Sequence, residues 1–131
     1  MSALAALVLP EELDAVWPRI VHLIERGLKR GHGFDVEDVR ASLVERKRQL
    51  WLTAPDADCA LVTQIDAYPR STVLHIFLIA GRLPAEWLAM LAGIENWARQ
   101  QGCDAAELRG RKGWLRKMRG YRALALMRKE L

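Results

Sequence analysis

Few side chains in this 131-residue sequence stand where their type alone suggests chemistry, and His75 is the first of them. It falls inside an apolar, β-branched run, residues 72–80. An imidazole titrates near neutrality and can take a proton from an amine. A core histidine holding one hydrogen bond is the commoner occupant of such a position. Asp66 and Glu86 are the nearest carboxylates in the expected topology. Asp66 precedes Tyr68-Pro69 and is read as stabilising that turn. Glu86 falls in the first turn of a helix, where a negative charge stabilises the dipole. His22 and His32 are not spaced as ligands, and His32 sits between two glycines in a loop. Cys59 and Cys103 form no CxxC and have no nearby histidine cluster, so neither a metal site nor a disulfide framework is expected.

A second candidate is electrostatic. The formal net charge is only +4, but residues 99–131 hold ten Lys/Arg against three acids, and residues 1–98 hold ten against thirteen. Residues 109–129 carry nine basic side chains and no acid. Such a block attracts phosphate, whether of a nucleotide cofactor, nucleic acid or an acidic partner surface; the plainer use is a solvated basic face. Arginines outnumber lysines 15 to 5, which suits bidentate contacts to phosphate or carboxylate, although a GC-rich coding bias gives the same excess. Of five tryptophans, Trp87 and Trp97 fall on one apolar helix face and are read as packing. Trp114 stands among Arg111, Lys112, Arg116 and Lys117. With Arg109 and Arg119 these residues make a candidate interaction patch.

The elements that must position these groups follow from periodicity. Residues 4–9 are apolar and read as a short first strand. Pro10-Glu11-Glu12 starts a helix, and Trp17-Pro18 looks like a second start. Ile20, Leu23, Ile24 and Leu28 form one stripe, ended by Gly31-His32-Gly33. Asp35 caps the next helix, with Val36, Val39 and Leu43 on one face. Three strands joined by short turns come next: 49–53, 59–66 and 72–80, with turns at Pro55-Asp56 and Tyr68-Pro69-Arg70-Ser71. The third is apolar on both faces and is expected at the centre of the sheet. Pro84 starts a helix whose face is Trp87, Leu88, Leu91, Ile94 and Trp97, with Gly102 as its C-cap. A strand at 104–108, a helix at 112–119 closed by Gly120, and a final strand at 121–131 complete the order β-α-α-β-β-β-α-β-α-β.

A chain of 14.9 kDa with 51% hydrophobic and 27% charged residues buries a core as a single domain, residues 1–131. No apolar run approaches the roughly 20 residues that span a bilayer. Residues 3–9 are too short, and lack the basic flank, for a secretory signal. The expected compartment is therefore cytoplasmic, with no membrane partner.

This order resembles the GNAT (Gcn5-related N-acetyltransferase) fold, an α/β fold with a mixed, twisted sheet. The run Ile94-Glu95-Asn96-Trp97-Ala98-Arg99-Gln100-Gln101-Gly102-Cys103 looks like the end of the family's central helix. Residues 109–121 look like its last helix and Gly-aromatic ending, and the pattern Gly-Arg-x-Gly-Trp … Gly-Tyr is similar to small GNAT-like proteins of tailed bacteriophages. The resemblance implies acetyl-CoA or another acyl-CoA as cofactor, held along Phe77, Ile79, Gly81 and Arg82. The candidate catalytic residue is His75, on the reading of its type and position given above. Where active relatives place a Gly-rich pyrophosphate loop, this sequence has Gly81-Arg82-Leu83-Pro84-Ala85-Glu86-Trp87: two glycines are missing, Pro84 lacks a donor and Glu86 adds a negative charge. Where many relatives carry a tyrosine general acid, counting back from Gly120-Tyr121 gives Arg116, a poor acid; Tyr121 matches a packing position.

Two functions stand side by side. One is a divergent, phage-encoded acyl-CoA-dependent N-acyltransferase acting in host cytoplasm. The other is a non-catalytic phage assembly or host-interaction protein, packaged in the virion or not, that docks a phage structural or host protein through its basic C-terminal surface. Nucleic acid is a weaker third partner, since no recognised binding module is present.

Overall fold

In a computed structural model of the chain, residues 5–29, 33–53 and 56–131 are described. Leu4, Gly31, His32 and Pro55, read as parts of a strand, a helix stop, a loop and a turn, lie outside them. Five strands form one sheet in sequence order: β1 (Ala5–Val8), β2 (Gln49–Thr53), β3 (Cys59–Tyr68), β4 (Ser71–Gly81) and β5 (Ala105–Leu108). Neighbours from β1 to β4 are antiparallel, and β4 and β5 are parallel. The segment between β1 and β2 carries α1 (Leu13–Leu28) and α2 (Val36–Val44); α3 (Trp87–Gln100) joins β4 to β5. A crossover helix is what a parallel pair requires.

The local chemistry fixes these ends. The Asp35 carboxylate accepts from the Asp38 amide and Asp38 returns the bond to the Asp35 amide, both at 2.9 Å, so α2 begins there. Tyr68 pairs with Ser71 across a two-residue hairpin. Gly102 follows α3 with φ +93°, the left-handed stop that glycine adopts without a Cβ penalty.

The sheet is covered on both faces. Ile20, Leu23 and Ile24 of α1 and Val39 and Leu43 of α2 pack on Leu50, Val62 and Leu78. On the other side Met90, Leu91 and Ile94 of α3 pack on Leu61, Leu74 and Ile76. Each such buried aliphatic side chain contributes roughly 2–3 kcal/mol. The one fully buried hydroxyl, among the described residues, is satisfied: Thr63 Oγ1 accepts from Trp51 Nε1 at 3.0 Å and donates to Gln49 Oε1 at 2.9 Å.

Four expectations need correction. Pro18 does not start a helix; it sits inside α1, whose entry is a 3-10 turn at Pro10–Glu12. So near the helix N-terminus its missing N–H costs a single intrahelical bond. β4 is buried on both faces but stands fourth of five, with β3 at the centre. The last helix is a 3-10 helix over Lys112–Lys117. The final strand does not form: residues 121–131 pair with no strand among the described residues. Alternating residues make a strand only where a neighbouring edge takes up the backbone bonds, and no described strand pairs with these.

Candidate active site

The site is built by a fault in the sheet. Val62 pairs with Leu78 but Thr63 pairs with Ile76, so Phe77 is an extra residue in β4. A bulge of this kind bends its strand and sharpens the twist. The consequence lies on the other edge of β4. Its pairing with β5 runs from Val73–Ala105 to Ile76–Leu108 and stops there, while β4 continues to Gly81. The two strands part at the bulge.

Residues 77–82 all line the groove at this parting, which is part of an open space of about 2360 Å³ that also reaches α1, the 3-10 helix and the C-terminal residues. Side chains of a strand alternate between faces, so six consecutive lining residues mean that β4 meets the groove edge-on. Gly81 fixes the far end of that edge. Its φ is +94°, and a Cβ there would stand 2.1 Å from the Asp58 carbonyl oxygen. The Arg82 amide donates to the same oxygen at 2.9 Å. Past this anchor the chain turns into α3, whose N-terminus at Glu86 has no side-chain cap.

A row of polar groups crosses the sheet beside the bulge. Arg48 Nε donates to Gln64 Oε1 at 2.8 Å, and Gln64 Nε2 donates to Asp66 Oδ1 at 2.9 Å. Gln64 stands opposite His75 on β4, and His75 stands opposite Glu107 on β5. The Arg48 guanidinium lies 4.2 Å from the Phe77 ring centroid and 4.7 Å from that of Phe34. Burial lowers the His75 pKa below its usual 6.5; Asp66 and Glu107 oppose that shift, and Arg109 and Arg48 add to it. Burial thus favours the neutral imidazole, the form that accepts a proton.

His75, Phe77, Ile79, Gly81 and Arg82 thus meet in one groove. Asp66 does not hold the turn. It belongs to the polar row, and the hairpin is held by Asp104, whose carboxylate accepts from Ser71 Oγ at 2.7 Å and the Thr72 amide at 3.3 Å. Asp66 is bound along its own strand by Gln64, two residues before it, and not by the turn that follows. Glu86 is exposed beside the uncapped helix end.

The interaction patch divides. Arg109, Arg111, Lys112, Arg116, Lys117 and Arg119 are exposed. Trp114 is not a free-standing aromatic: it is half-buried, 6.1 Å from the Trp87 ring, and Trp87 Nε1 donates to the Lys117 carbonyl at 2.8 Å. Its apolar area is better spent on α3 than in water. Tyr121 packs as expected, and its hydroxyl donates to Glu95 Oε2 at 2.8 Å. Burial, reinforced by Glu95, pushes that phenol well above its ordinary value. Cys59 and Cys103 are buried free thiols; burial pushes Cys59 up to about 11, so it is no nucleophile at neutral pH.

Arg48, Gln64 and Glu107 are site residues that sequence reasoning missed. The available signal was weak: Gln64 and Asp66 are polar at an i, i+2 spacing in a strand that is otherwise apolar apart from Thr63. Among the described residues no cluster of His, Cys, Asp and Glu could hold a metal ion, and no helix is long and apolar enough to cross a membrane.

A mixed sheet that opens between two parallel strands, with helices on both faces, defines the architectural class. Solved structures name it. The chain is similar to a ribosomal-protein-alanine N-acetyltransferase from Brucella melitensis biovar Abortus 2308, at 13% identity and TM-score 0.67, covering 97% of this chain and 95% of that one. It is similar to a GCN5-related N-acetyltransferase from Ralstonia eutropha JMP134, at 12% identity and TM-score 0.65, covering 97% of each. It is also similar to a predicted acetyltransferase with acetyl-CoA from Clostridium acetobutylicum, at 10% identity and TM-score 0.66, covering 97% and 94%. The sequence matches no protein-family model and no curated protein. The fold is that of the GNAT acetyltransferases.

Proposed function

We propose that this protein transfers an acyl group from an acyl-CoA to an amine, in the groove where β4 and β5 part. The observation that carries this reading is the end of β4–β5 pairing at Ile76 and Leu108, with β4 running on edge-on to the groove as far as Gly81. Acyl-CoA supplies an activated thioester carbonyl. Residues 78–81 offer it backbone N–H groups, Arg82 a cation for its phosphates, and the uncapped first turn of α3 its amides. Pro84 adds no donor there, and Glu86 opposes an anion, so the seat is a weak one.

His75 takes the proton that the amine gives up as its nitrogen gains the acyl group; the departing thiolate is protonated from solvent. Asp66 and Glu107 favour the approach of a cationic amine, which gives one proton to solvent to become the neutral nucleophile before His75 takes the second. Calorimetry with acetyl-CoA and with CoA tests the reading. Binding of both, weakened about tenfold in Arg82→Ala, is expected from a charge-assisted phosphate contact. If neither binds at millimolar concentration, the transferase reading fails. His75→Gln should lower turnover about 100-fold or more.

A second reading drops the chemistry. It rests on the exposure of Arg109, Arg111, Lys112, Arg116, Lys117 and Arg119, with no acid among residues 109–129. Such a surface suits a phage structural or host protein with an acidic face. A phage origin belongs with this reading and rests on the C-terminal sequence pattern.

A further inference from the structure

Three of the four cations at residues 40–48 have a carboxylate: Arg40 meets Asp14, Arg46 meets Glu11 at 3.2 Å and Lys47 meets Glu45 at 2.9 Å. Arg48 has no ion pair among the described residues, yet it is half-buried, and burial lowers its pKa with Asp66 and Asp38 opposing. It is held by other means. The Phe34 and Phe77 rings, edge to face at 5.1 Å, both lie against its guanidinium, and Nε is spent on Gln64. Nη1 and Nη2 have no acceptor among the described residues. No buried side-chain nitrogen or oxygen among them lacks a partner, so these two donors reach open space. The Gln64 amide sets a carboxylate at a fixed remove from this fork. Its oxygen accepts from Arg48 at 2.8 Å and its nitrogen donates to Asp66 Oδ1 at 2.9 Å, which leaves Asp66 Oδ2 without a hydrogen bond among the described residues. Gln64 pairs with His75 across β3 and β4, and side chains directly opposite share a face. Asp66, two residues on, shares it too. An open guanidinium edge, an imidazole and a carboxylate oxygen thus stand on one face of the sheet, spaced by one amide.

We infer that the acceptor is an amino acid, whose free carboxylate sits on the Nη1–Nη2 edge of Arg48 while its amine stands between Asp66 and His75. This inference rests on the acyl-transfer reading of the groove. The fit is one of spacing and of charge. In the Gln64 amide the bridging oxygen and nitrogen are separated by one carbon. In an α-amino acid a carboxylate oxygen and the nitrogen are separated by two, so the free molecule reaches the same two partners from beside the amide that sets them. A planar guanidinium held against two rings offers a carboxylate two parallel bonds and has little freedom to turn away. The charges acting on His75 balance, Asp66 and Glu107 against Arg109 and Arg48. A zwitterion suits a balanced set. A polyamine would set a cation against Arg48, and a simple anion would face Asp66. In the transfer the N–C bond forms as the thioester C–S bond breaks. The ammonium's first proton has gone to solvent, its second goes to His75, and CoA leaves as the thiolate. The product keeps its carboxylate but has no charge left for Asp66, which favours release.

The test compares acceptors on the full chain with acetyl-CoA, following release of the CoA thiol. The set is the common L-amino acids at millimolar concentration, the carboxamide of each, and spermidine. At least one amino acid should turn over with kcat/KM about tenfold or more above its carboxamide, because a site built for a carboxylate rejects the analogue that lacks it. In Arg48→Ala that ratio should fall towards one, through a raised KM for the amino acid. A ratio unchanged in this variant overturns the inference. So does use of carboxamides or spermidine as readily as any amino acid, an outcome that leaves the transferase reading standing. The comparison between ligands holds whether or not the variant folds. Where no thiol is released, calorimetry with and without CoA decides. An amino acid that binds while its carboxamide does not supports the site, even if acetyl-CoA fails to bind and the transferase reading falls. No binding of any amino acid at millimolar concentration overturns it.

Discussion

The body of the protein, through β5, and its C-terminal quarter use polar groups in opposite ways. In the body they are closed on one another. Thr63 is held between Trp51 and Gln49, Asp104 holds the Ser71 turn, and Arg48 reaches Gln64 while lying over Phe77. In the last quarter the cations face solvent, and the one ion pair there is local, Arg128 with Glu130. The difference teaches where each part finds its partners. The body's lie within the chain. The exposed cations of the C-terminal quarter meet solvent, while Trp114 and Tyr121 tie that quarter to α3.

The contrast breaks most severely at Gly81. In Gly81→Val a side chain would have to share space with the Asp58 carbonyl at a positive φ, and urea unfolding should show a loss of about 4 kcal/mol. An unchanged midpoint would mean that the end of β4 is not anchored as described. Next comes the border between the two regions. Trp114→Ala removes a ring packed on Trp87 and should cost about 2 kcal/mol, whereas exposed Arg116→Ala should stay within about 0.5 kcal/mol. Equal effects would erase the division drawn through the patch. A smaller effect is expected at the helix end. Glu86→Gln removes the charge opposing an anion, and CoA should bind about threefold more tightly by calorimetry.

The smallest effect is on stability against pH. Burial holds His75 below 6.5, so the unfolded chain takes up that proton first. Stability contributed at His75 is complete above pH 6.5 and declines as pH falls from there to the lower folded value. Urea midpoints at pH 5.5 and 7.5 should therefore differ less in His75→Gln than in the native chain. The same slope in both would mean that burial does not shift the titration of His75.

Much of the body was legible because its signals are local. Strand 49–53 and the Asp35 cap each follow from spacing within a dozen residues, and the structure has them there; of the expected α3 face Trp87, Leu91 and Ile94 are buried, whereas Leu88 is 43% exposed and Met90 packs in its place. The GNAT order followed from their succession. The candidate site was half legible. His75 and the 77–82 stretch stood out by type and position. The bulge at Phe77 left no mark in the sequence, because it arises from the register of β3 against β4. Arg48 and Gln64 meet across sixteen positions and only through strand pairing. The expected last strand failed for a different reason. Residues 121–131 have the right alternation, but alternation describes a surface suited to pairing and does not supply the neighbour.

One feature of the sheet also governs how the molecule comes apart. β3 and β4 share ten paired positions, whereas β5 is held to β4 by four. Opening that short parallel ladder, together with the Trp87–Lys117 and Tyr121–Glu95 bonds, releases β5, the 3-10 helix and residues 121–131 at a cost below that of unfolding the whole chain. Amide protons of β5 should thus exchange with solvent as a group, long before those of β3, and the basic quarter would behave as a separate foldon hinged at the end of α3.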